Sequence, residues 1–100
     1  MILLYTTLPT KEEAEDLVRT LLNEKLIVCA NMHSASSMYL WQSTIEHSSE
    51  IITLLKTSKE KQEKTIKRIK ELHSYEVPCI FSTSVEVNKA YQKYLEKEIK

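Results

Sequence analysis

The sequence predicts an α+β domain, an antiparallel sheet carrying its two main helices on one face. Three observations predict it. Strand-like and amphipathic stretches follow one another in the order β-α-β-β-α-β, with a further helix at the end. Residues 26–57 show no helical periodicity and read as one extended hairpin. Breaks between stretches are short, so residues 1–100 form a single domain with no linker. This order is the split βαβ, or ferredoxin-like, arrangement.

Each element follows from its residues. Residues 2–7, "ILLYTT", are β-branched, aromatic and apolar and predict a buried strand that Pro9 ends. Thr10 and Glu13 have capping-box spacing, and Ala14, Leu17, Val18, Leu21 and Leu22 then form one helical face. Residues 26–32, "LIVCANM", predict a second strand. After the bend "HSASS", strand character returns at 37–41, "SMYLW". A turn at "QST" leads into a long strand over 45–57. Ser58 opens a second helix whose thin apolar stripe is Ile66, Ile69 and Leu72. Its lysines, with Arg68, admit a phosphate-binding reading, but Glu60, Glu63 and Glu71 interleave with them, which favours a solvated face. Residues 79–85, "CIFSTSV", predict the last strand, and Asn88 caps a helix burying Ala90, Tyr91, Tyr94 and Leu95.

Composition bounds the function. Lys and Arg together number 14, as do Asp and Glu, so no overall field attracts nucleic acid or an anionic membrane. No apolar run approaches the ~20 residues of a bilayer span, and the N-terminus lacks a basic leader, so a cytoplasmic chain is expected. Two cysteines, Cys29 and Cys79, make no disulfide framework. Glycine is absent altogether, which excludes the usual phosphate-binding loop, the dinucleotide fingerprint and the G-x-S-x-G elbow. No nucleophile, base and orienting group stand at recognisable spacing, so an enzyme is not expected.

The hairpin is longer than a sheet of this size needs. Tyr39 and Trp41 project from one face of its first arm. Self-association would cover them; the alternative is packing beneath the terminal helix.

Several segments together resemble the CutA divalent-ion tolerance family: "TTLPTKEEAEDLV", "EKLIVCAN", "SSMYLWQSTIE", "LLKTS", "ELHSYEVP" and "YQKYLEKEI". The resemblance runs nearly end to end. It implies a homotrimer in which hairpin arms pack between subunits, placing Tyr39 and Trp41 at the interface. It also implies a trimeric plan shared with PII signalling proteins, which bind small effectors between subunits. The chain departs from the family pattern at Gln42-Ser43-Thr44, at Ser74 and at Cys79. A Cys and a second His linked to copper binding in some members are replaced by Thr6 and Leu72, leaving His73.

The stretch "ELHSYEVPCI" is the densest chemistry in the chain. Its structural reading places His73 at the favourable negative end of a helix, Pro78 at the start of a strand, and Tyr75 and Glu76 as loop or interface residues. Its metal reading makes His73 a ligand for copper, helped by Glu76 or Cys79. Binding is then weak, with no tightly held cofactor, because a tight site needs more donors. His33 and His47 could meet across the hairpin, although single strand histidines are more often surface or interface residues; Cys29 reads as a buried thiol. Three functions remain: a copper-linked ion-tolerance protein, a PII-like effector-binding trimer, and a ligand-free scaffold.

Overall fold

A computed structural model describes residues 1–100. Its elements are β1 (Ile2–Leu8), α1 (Lys11–Asn23), β2 (Cys29–Trp41), β3 (Thr44–Thr57), α2 (Gln62–Leu72, entered through a single 3-10 turn at Lys59–Lys61), β4 (Ile80–Ser84) and α3 (Lys89–Glu98). The antiparallel sheet has the order β2-β3-β1-β4. The α+β, ferredoxin-like class is as the sequence predicts.

Alternation in β1 sets the core. Ile2, Leu4, Thr6 and Leu8 are buried on the face that meets α1 and α2. They pack with Ala14, Leu17, Val18 and Leu21 of α1, Leu55 of β3 and Ile69 of α2. Leu22 is exposed, because the stripe of α1 is narrower than its apolar residues allow. The capping box is half formed: Thr10 Oγ1 accepts from the Glu13 N–H at 3.1 Å, but the Glu13 carboxylate instead accepts from Ser74 Oγ at 2.8 Å. Asn88 occupies the N-cap of α3 without a side-chain bond.

Two predicted boundaries move. Leu26, Ile27 and Val28 are buried ahead of β2, which begins at Cys29. The Leu26 carbonyl accepts from Thr57 Oγ1 at 2.7 Å and Thr65 Oγ1 at 3.0 Å, which ties Leu26 to β3 and α2, while the Val28 N–H already donates to the Lys56 carbonyl of β3 at 2.9 Å. The stretch "HSASS" is no bend. It pairs rung by rung with Ser48–Ile52, so the ladder overrides weak strand propensity. Leu95 of α3 and Ile99, which follows it as the C-cap, are buried against Val28, with Met1 and Cys29 alongside. The helix therefore covers one end of the face opposite α1 and α2. Of its predicted buried residues, Ala90 and Tyr94 are exposed and Tyr91 is half-buried, its ring 5.5 Å from Lys56 Nζ. Cys29 is likewise only half-buried.

The arm formed by β2 and β3 dominates the shape. Strands of 13 and 14 residues reach about 43 Å at ~3.3 Å per residue. The whole chain is 45 Å long and only 24 by 21 Å across. Trp41 pairs with Thr44, leaving Gln42 and Ser43 as a two-residue turn with φ of 49° and 66°. Both angles lie in the left-handed region that a type I′ turn requires and that Asn-Gly fills with least strain. Replacing Gln42-Ser43 by Asn-Gly is expected to stabilise the chain by about 1 kcal/mol. Urea unfolding checks it, and an unchanged midpoint means that the turn holds no relievable strain.

Candidate functional site

The arm, the end of β1 and the loop 74–79 enclose a cleft of about 710 Å³. Strand register builds it. Residues at odd positions in β1 face away from α1 and α2. Pairing of Tyr5 with Leu54 and Phe81, and of Tyr39 with Glu46, carries that face out along the arm. Tyr5 and Phe81 stack on it with centroids 4.4 Å apart. Tyr39 and Trp41 line the cleft and are 44% and 46% exposed, so they do not pack beneath α3.

Glu50 is the polar hub. Its Oε2 accepts from Tyr75 Oη at 2.6 Å and from Thr7 Oγ1 at 3.0 Å. Partial burial opposes its charge. Hydrogen bonds from Ser37, Tyr75 and Thr7 outweigh that and hold the carboxyl below its usual range. Tyr75 shifts the other way: burial, then the hydrogen bond and charge of Glu50, push its phenol well above the usual tyrosine value. A raised phenol favours the neutral form when folded. That contribution is complete below the unfolded value of ~10 and is lost as pH climbs towards the folded one. In an alkaline absorbance titration of the folded protein, Tyr75→Phe is therefore expected to leave the part of the curve near pH ~10 unchanged. Loss of one tyrosinate's amplitude there would give Tyr75 an ordinary environment.

His73 ends α2 as its C-cap, with extended φ and ψ of −77° and 136°. Its ring turns into the chain rather than lying against the negative end of the helix. Nε2 donates to the Thr7 carbonyl at 2.8 Å and lies 3.2 Å from Thr6 Oγ1. Nδ1 accepts from the Tyr75 N–H at 3.1 Å. The carbonyl acceptor assigns the ring proton to Nε2. Both nitrogens are thus committed, and the metal reading of His73 meets a ring with no free donor. Cys79 is exposed and lines the cleft beside Tyr5, whereas Nε2 of His73 reaches the buried Thr6. Glu76 is exposed on the cleft rim. No group of three or more His, Cys, Asp or Glu side chains is placed to hold a metal ion. The donor set therefore does not fit a resident metal. His33 and His47 do not meet either: His47 pairs with Met38, five rungs from His33, so the two project from opposite faces. On α2, Arg68 is held by Glu24 in a two-pronged pair at 2.9 and 2.8 Å.

Sequence reasoning places Tyr75 and Glu76 in the loop but misses Glu50, Thr7, Ser37, Glu46 and Tyr5. The alternation of Glu46, Ser48 and Glu50 opposite Tyr39, Ser37 and Ala35 carries that signal once the turn position is known.

The model of the CutA1 divalent ion tolerance protein family matches residues 2–98. The divalent-cation tolerance protein CutA of Pyrococcus horikoshii is 46% identical, with 100% of this chain and 99% of that protein covered. A crystal structure of a CutA1 mutant from the same organism, also 46% identical, superposes with a TM-score of 0.98 over 100% of this chain and 99% of that one. The Archaeoglobus fulgidus CutA, described as a periplasmic divalent cation tolerance protein, is 31% identical with a TM-score of 0.95, covering 100% of both chains. A PII-like protein CutA from Nostoc, in apo form, is 28% identical with a TM-score of 0.93, covering 100% of this chain and 98% of that one.

Proposed function

The chain belongs to the CutA1 divalent ion tolerance family, and from that premise we propose that it serves ion tolerance as a homotrimer joined through its hairpin arms, binding rather than catalysing. One observation carries the assembly. At the arm tip Met38, Leu40 and Ile45 are 74%, 73% and 69% exposed on one face, with Tyr39 and Trp41 on the other. A 100-residue chain that leaves an apolar tip open on both faces has a partner for it. Light scattering coupled to gel filtration tests this: the expected mass is about three times the chain's 11.7 kDa, and a species of 11.7 kDa overturns it.

Tolerance on this reading does not depend on a tightly held ion. Copper binding is weak, because His73 is committed within the chain and Glu76 and Cys79 offer no third donor beside it. A cytoplasmic setting accords with two free cysteines. No helix is long and apolar enough to cross a membrane.

A second reading, a small-effector binding protein, is favoured by the cleft itself. Its volume of about 710 Å³ lies within the range of small-molecule sites, ~300–1,000 Å³.

A further inference from the structure

We infer that Cys29 and Lys56 form an oxidation site, at which a peroxide converts the thiol to a sulfenic acid and the lysine amine captures it as a covalent S–N link. The two residues are partners on the first rung of the β2–β3 ladder, at the opposite end of the hairpin from Trp41 and Thr44. The Lys56 ammonium donates to Cys29 Sγ at 4.0 Å. Both residues are half-buried. Cys29 packs alongside Leu95 and Ile99, so the pair lies within one chain under α3 and away from the arm tip. Tyr91 of α3 closes the group, its ring 5.5 Å from Lys56 Nζ. Burial, then the charge and hydrogen bond of Cys29, push the Tyr91 phenol up, which keeps its hydroxyl a donor beside the sulfur. The ion pairs of the chain lie elsewhere, within α1 and between Glu24 and Arg68, so no carboxylate holds the Lys56 nitrogen away from the sulfur.

The thiolate is the reactive form of the sulfur. It attacks one oxygen of hydrogen peroxide. The O–O bond breaks, the sulfur is oxidised to S–OH, and the other oxygen departs as hydroxide. The Lys56 ammonium gives that hydroxide a proton, which leaves water and a neutral amine beside the new S–OH. The amine lone pair then forms the S–N bond as the S–O bond breaks. The departing hydroxide takes a proton from the nitrogen and leaves as water. Thiolate, ammonium and one peroxide thus become one sulfenamide and two waters. The product joins the first residue of β2 to the penultimate residue of β3 and so fastens the root of the arm. Cys79 is placed differently. It is exposed, and no lysine is among the residues lining its cleft, so the same oxidant finds no amine to trap it there.

In a Cys79→Ser background Cys29 is the single thiol. The folded full chain of that variant is treated with hydrogen peroxide, and its intact mass and its peptides are measured. The expected product is about 2 Da lighter than the reduced chain, with the Cys29 and Lys56 peptides joined and dithiothreitol separating them. Lys56→Arg in the same background keeps the positive charge but offers no such amine. There Cys29 is expected to run on to the sulfinic acid, about 32 Da heavier, with no joined peptides. The proposal is overturned if Cys29 in the Cys79→Ser chain stops at a sulfenic or sulfinic acid, forms a disulfide between two copies, or stays reduced under peroxide that oxidises Cys79 of the unaltered chain. A joined pair about 14 Da heavier also overturns it, because an oxygen then stands between sulfur and nitrogen. So does a loss of about 2 Da in Lys56→Arg, which gives the sulfur a backbone nitrogen as its partner instead.

Discussion

Trp41→Ala is expected to break the assembly down towards the 11.7 kDa chain, or to lower its melting temperature sharply. Within a single chain the ring is 46% exposed, so truncation there removes only part of a buried aromatic's contribution. Against a neighbouring arm the loss approaches the ~3–5 kcal/mol typical of deleting a buried Trp. A closed trimer repeats that loss at every copy. Thr44→Ala, on the rung opposite Trp41, is the control, since it removes little apolar area from the same turn. Mass by light scattering and melting by circular dichroism are the readouts. If Trp41→Ala matches Thr44→Ala in both, no neighbour buries the indole and the arm has another role.

The fold is legible because its strongest signals are local. The apolar face of α1 and the run "ILLYTT" are complete within themselves, and the element order then selects the sheet topology. Non-local pairing decides what was misplaced. "HSASS" has little strand propensity, yet it lies in the middle of a ladder closed by the turn at Gln42-Ser43. Leu26, Ile27 and Val28 look like a strand, but the Leu26 carbonyl is taken by the hydroxyls of Thr57 and Thr65, distant in sequence, and only Val28 bonds the β3 backbone, its N–H donating to the Lys56 carbonyl. The site fails to show for the same reason. Glu50 lies 43 residues from Thr7 and 25 from Tyr75, and nothing local to Glu50 announces either partner. "ELHSYEVPCI" is conspicuous because its polar groups are close in sequence. Folding separates their roles: His73 turns inwards to Thr6 and Thr7, Tyr75 reaches Glu50, and Cys79 is exposed on the cleft.

That separation sets the expected outcome of a copper titration. Calorimetry with divalent copper and no reductant is expected to show binding in the micromolar range or weaker, because no three donors converge. His73→Ala is expected to leave that affinity within about threefold of the original, since coordination at Nδ1 would first displace the Tyr75 N–H and coordination at Nε2 the bond to the Thr7 carbonyl. The same substitution is expected to destabilise the fold by about 2–3 kcal/mol. It removes hydrogen bonds joining the end of α2 to β1 and to the loop, each contributing ~1 kcal/mol net. Stability and metal affinity therefore part company in one variant. Cys79→Ser is expected to change neither, because its thiol is exposed and bonded to nothing. Nanomolar binding abolished in both His73→Ala and Cys79→Ser would overturn this account. It would mean that copper draws the imidazole out of its hydrogen bonds and the thiol across to meet it, a rearrangement strong enough to offset the loss of those bonds.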